Sequence, residues 1–103
     1  MNTIKLSVKD LKFLLECEDK AQTSAKIGYS GADKTAQEMI AALNAKVDVS
    51  AEAVESALHS YQQLQEKGYA ISHPDGLSYD AFVKRLTPPG SYFDKELGAF
   101  FRK

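Results

Sequence analysis

The stretch from Val49 to Gly76 constrains this chain more than any other, because it reads as a long helix closed at both ends and followed by a tight turn. Ser50 is a favoured N-cap residue, and Val49 and Val54 have the spacing of a hydrophobic staple around it. Val54, Ala57, Leu58, Tyr61 and Leu64 then recur at offsets of three and four. Glu52, Glu55, His59, Gln62, Gln63 and Glu66 fall between them, which is the period of an amphipathic helix. Gly68 suits the left-handed conformation that ends a helix, with Tyr69 placed to contact Leu64. At about 1.5 Å per residue the helix spans roughly 25 Å, the width of a small domain. Tyr69 to Ser72 reads as extended, and His73-Pro74-Asp75-Gly76 then has the residue types of a type I turn, so the chain reverses there.

The flanking segments supply shorter partners for that helix. Ser7 with Asp10 three positions on predicts a helix from Val8, burying Val8, Leu11, Leu14, Leu15 and Ala21, with Phe13 and Cys17 on its flank. Gln22 to Lys34 is the longest irregular run, and we read Tyr29 within it as a plug into the core. Asp33 or Thr35 is expected to cap a second helix with the stripe Ala36, Met39, Ile40 and Leu43, and Val47-Asp48-Val49 is a linker or a bridge in a tiny sheet. Ser78 caps Tyr79 to Leu86, with Tyr79, Phe82, Val83 and Leu86 on one side, and Thr87-Pro88-Pro89-Gly90 stops it. Ser91 and Asp94 then resemble another cap-and-acid pair, so Phe93, Leu97, Phe100 and Phe101 predict a last helix, in which Gly98 costs ~1 kcal/mol against alanine. The expectation is a single helical domain over residues 1–103. It is all-α, a compact bundle of four to five short helices around a central helix at about residues 51–67.

Composition narrows the function classes. A chain of 103 residues, 44% apolar and 26% charged, buries one core without staples, and a net charge of −1 offers no global attraction to nucleic acid or anionic lipid. Cys17 is the only cysteine, which predicts a reducing, cytoplasmic location. The N-terminus lacks a signal peptide's apolar core and no run approaches the ~18 apolar residues of a membrane span, so a soluble, unprocessed protein with no membrane partner is expected.

Catalytic chemistry finds little to work with. Cys17 lies between Glu16 and Glu18, whose charges raise a thiol pKa, and it reads as a core residue. His59 and His73 read as surface histidines, without further His or Cys at metal-ligand spacing. Gly28-Tyr29-Ser30-Gly31 lacks the ending of a phosphate-binding loop. A calcium loop set on Gly76 would put Ile71 at its first ligand place and Phe82 at its bidentate acid. We expect no enzyme activity, no cofactor and no metal.

Ala36 to Leu43, the Val49-Ser50 pair, the long helix and the Lys67-Gly68-Tyr69 step together resemble winged-helix domains. The resemblance covers about half the chain. It implies an alternative α+β fold, with a two-stranded wing at Tyr69 to Ser72 and Leu77 to Phe82, and a nucleic-acid-binding regulator. Asp48, Glu52, Glu55 and Glu66 against Lys67 make the would-be recognition helix acidic, which a phosphate backbone repels.

The basic excess lies at the C-terminal end, where Lys84, Arg85, Lys95, Arg102 and Lys103 stand against Asp94 and Glu96 among four aromatic residues. Aromatic and arginine anchors dominate interface energetics. The favoured expectation is therefore a noncatalytic regulatory or inhibitory module that binds another protein, or a second copy of itself, through Tyr92, Phe93, Leu97, Phe101 and Arg102. Nucleic-acid binding ranks second.

Overall fold

The central helix forms where its caps and stripe put it, and the largest departure from the pattern comes at the C-terminal end. The computed structural model describes residues 3–23, 32–45 and 48–103, with side chains of the middle segment from residue 37. In chain order its elements are β1 (Thr3–Ile4), α1 (Val8–Thr23), α2 (Ala32–Ala45), β2 (Val49–Ser50), α3 (Ala51–Glu66), α4 (Tyr79–Leu86), β3 (Ser91–Asp94) and β4 (Ala99–Arg102).

Ser50 Oγ accepts the Ala53 amide at 3.2 Å and so caps α3. Val54, Ala57, Leu58, Tyr61 and Leu64 are all buried. At the far end Tyr69 N donates to Leu64 O and Gly68 N to Gln65 O, the paired bonds of a Schellman stop, with Gly68 at φ 82°. The His73-to-Gly76 turn closes through Gly76 N to His73 O at 2.9 Å. α1 lies along α3 and carries α2 on another side. Its cap is Ser7, whose Oγ accepts the Asp10 amide. Val8, expected inside, is exposed, and Phe13, expected on the flank, is buried. α2 is already helical at Ala32, so Asp33 and Thr35 lie within it rather than capping it. Ile40 is exposed while Met39 and Ala42 are buried. Tyr29 falls outside the described residues.

The fold is mixed α+β, which corrects the all-α expectation. Two small antiparallel sheets accompany the four helices among the described residues. In one, Thr3 and Ile4 pair with Ser50 and Val49, tying the start of the chain to the lead-in of α3. The other is a hairpin of β3 and β4 where a last amphipathic helix was expected. Three physical causes favour the hairpin. Tyr92-Phe93 and Phe100-Phe101 are adjacent aromatics, and a strand sends one of each pair to each face, whereas a helix crowds both toward one side. Gly98 stands at φ 65°, a loop conformation that a helix interior does not contain. Asp94 Oδ1 accepts the amides of Glu96 and Leu97, so the acid read as part of a helix cap instead organises the hairpin loop. The winged-helix alternative is corrected as well: Tyr69 to Ser72 forms no strand and Leu77 to Phe82 leads into α4.

Cys17 is fully buried on α1. Burial first, then the neighbouring charges of Glu16 and Glu18, pushes its thiol well above the ordinary range. A thiol-exchange reagent should label the native chain far more slowly than the urea-unfolded chain, with a rate set by opening of the core. Labelling at equal speed in both states would contradict this burial.

Candidate interaction surface

The hairpin register decides which aromatic rings are available. Phe93 pairs with Phe100 and Tyr92 with Phe101, so the two pairs occupy opposite faces. Phe93 and Phe100 turn inward, their rings 4.9 Å apart, and Phe100 is buried. Phe93, expected at the interface, is therefore half-buried against the core. Tyr92 and Phe101 stack on the outer face with centroids 5.8 Å apart, exposed by 44% and 38%. Leu97, 69% exposed, stands at the hairpin tip. Arg102 is exposed opposite Ser91, one pleat away from the outer pair. Of the five expected contact residues, the structure brings Tyr92 and Phe101 together, sets Leu97 and Arg102 at the two ends of the hairpin, and turns Phe93 inward.

The two hairpin edges differ. Lys103 N donates to Gly90 O at 2.9 Å, which fixes the ladder parity so that the backbone groups of Phe93 and Phe100 point away from the partner strand. On the β4 edge, Glu55 Oε2 on α3 accepts the Phe100 amide at 2.7 Å. On the β3 edge the Phe93 amide meets no such carboxylate among the described residues. Beside that edge runs a groove of about 370 Å³ between α4 and the hairpin, lined by Tyr79, Val83, Lys84, Phe93, Lys95 and Lys103 among others. Lys95 pairs with Asp80 at 3.3 Å and sits 5.6 Å from the centre of the Tyr79 ring. Burial, then the charge of Asp80, pushes the Tyr79 phenol up to about 12, so it remains a neutral hydroxyl in neutral solution. Lys84 and Lys103 have no ion-pair partner among the described residues.

A second polar cluster joins three distant segments. Asp10 on α1 and His73 in the turn are both buried, which corrects the surface reading of His73. The Asp75 amide donates to His73 Nδ1 at 3.0 Å, so that nitrogen is an acceptor and the proton resides on Nε2. Nε2 is 2.8 Å from Asp10 Oδ1 and donates to it, and the same oxygen accepts Arg85 from α4. With Nδ1 facing the Asp75 amide and Nε2 held beside Asp10 and, at 3.1 Å, Arg85, the buried ring ties three segments together, and the cluster acts as a clamp. Asp75, held below the usual carboxylate range mainly by its hydrogen bond to Lys9 at 2.8 Å, extends the clamp to the surface. Sequence reasoning missed this cluster, in which Asp10 lies more than sixty residues from both His73 and Arg85 in the chain. It also missed Glu18, fully buried and hydrogen-bonded by Ser60 between α1 and α3. Among the described residues no group of three His, Cys, Asp or Glu side chains is placed to hold a metal ion, and no helix is long and apolar enough to cross a membrane.

Comparison with protein-family models, curated proteins and solved structures returned no match.

Proposed function

We propose that this chain is a small noncatalytic module of the cytoplasm that binds another protein, in a regulatory or inhibitory role, through the outer face of its C-terminal hairpin. One observation carries the reading: Tyr92 and Phe101 stack on each other in solvent rather than in the core. Large rings held by a strand register offer contact area at small entropic cost, which is what interface anchors require. Leu97 at the tip extends the patch, and Arg102, exposed at the base of β4, follows Phe101 on the alternate face and borders it at the edge. The cytoplasmic assignment is supported by a single cysteine that sits inside the core.

Nucleic acid is the weaker alternative. The helix that would enter a groove is the central element of the core, and its exposed positions include Glu52 and Glu66.

The test compares the wild type with Tyr92→Ser/Phe101→Ser as immobilised baits for lysate of the native host. Both positions are exposed, so the variant should keep its melting transition within about 1 kcal/mol of stability. A protein retained by the wild type and lost on the variant is the expected result. An identical set of retained proteins would overturn the assignment, as would unfolding of the variant.

A further inference from the structure

The proposed protein-binding role leaves open what kind of segment binds, and the β3 edge supplies an answer. We propose that the groove between α4 and β3 takes an acidic peptide segment in extended conformation, which adds to β3 as a third strand. This rests on reading the hairpin as a protein-binding surface, and it adds the chemistry of the partner.

Three observations converge on that occupant. First, the Phe93 amide and carbonyl face out of the hairpin on the groove side, whereas the Phe100 amide on the other edge is occupied by Glu55. A strand therefore has one edge to join, and backbone pairing there supplies affinity independent of side-chain identity. Secondly, Val83 and the Tyr79 ring on α4 line the groove across from that edge and Phe93 lines it from β3, together an apolar floor for alternate side chains of an added strand. Thirdly, the rim is basic. Asp80 is neutralised by Lys95, which leaves Lys84 and Lys103 to attract charge of the opposite sign. A second copy of this chain would bring the same cations to the same edge and be repelled. Nucleic acid would gain from the lysines but has no amide to exchange with Phe93.

The experiment uses labelled peptides of about six residues, the ordinary length of a strand. One alternates Glu with Val, a second alternates Lys with Val, and a third is the acidic peptide with a central proline. Anisotropy is read at two salt concentrations, with a single-stranded oligouridylate alongside, and amide exchange at Phe93 is followed by NMR. The acidic peptide should bind best, weaken with salt and slow exchange at Phe93, and the proline peptide should bind poorly because it lacks a donor. Lys84→Glu/Lys103→Glu turns two attractions into repulsions and should weaken binding roughly tenfold. Lys103→Glu alone, outside every helix, should weaken it less and guards against a folding defect in α4.

Equal binding of the Lys-Val peptide, unchanged exchange at Phe93, preference for the oligouridylate, or concentration-dependent self-association in sedimentation would each overturn the proposal. If the acidic peptide fails while Tyr92→Ser/Phe101→Ser still releases a captured protein, the strand-addition proposal falls and the protein-binding reading stands.

Discussion

Phe13→Ala should lower the free energy of unfolding by about 3–5 kcal/mol, read as a fall in urea midpoint at unchanged slope. The ring is 3% exposed and meets three others edge-on: Tyr61 from α3 at 5.0 Å, His73 from the turn at 5.1 Å and Phe82 from α4 at 5.4 Å. Edge-to-face geometry places the positive rim of one ring against the negative face of another, which adds to the burial of area. Truncation would remove these contacts together and leave a cavity under residues from three separate elements. A domain of this size has about 5–15 kcal/mol of stability, so the loss is a large part of the whole. Phe13→Leu, which retains most of the volume, should recover the greater share. A loss below about 1 kcal/mol for alanine would show that the site collapses freely and that Phe13 is not the hub its ring contacts indicate.

Asp10→Ala should cost about 2–3 kcal/mol, for want of an acceptor rather than of volume. His73 Nε2–H would be stranded in a dry site, because its other nitrogen is already engaged by the Asp75 amide. Arg85 would lose less, since its side chain is 42% exposed and can turn to water. Double-mutant cycles by chemical denaturation should therefore give a larger coupling of Asp10 to His73 than to Arg85. The reverse order would mean that a screened surface pair holds the clamp, and the assignment of the His73 proton would fail. Asp10→Asn retains a carbonyl for the Nε2 proton and should fall between wild type and alanine.

Local signals were legible wherever a cap, a stripe and a stop fell close together in the chain. Ser50, the Val54-to-Leu64 stripe and Gly68 define α3 because each acts within a turn or two of its neighbours. Ser78 and the prolines define α4 for the same reason. The last segment failed because Ser91 and Asp94 have the spacing of a helix cap and of a hairpin loop alike, and the doubled aromatics together with Gly98 were the evidence that favoured strands. For the candidate interaction surface, composition pointed to Tyr92, Leu97, Phe101 and Arg102, all of them exposed, while a helical period rather than a pleat put the half-buried Phe93 among them. Glu18 was readable in principle: with Leu11, Leu14 and Ala21 it occupies the buried side of α1, and Ser60 holds an equivalent position on α3. The clamp was not readable, since His73 and Arg85 reach Asp10 only once the helices have packed.

The Glu55 carboxylate on the Phe100 amide also sets an upper limit on growth. A ribbon with two bare flanks can template neighbours on both sides and lengthen without end, whereas one with a sealed flank has a single point of attachment. An acidic segment added at β3 would thus find no matching place on the β4 side at Phe100, so the ribbon takes on one guest strand and not two.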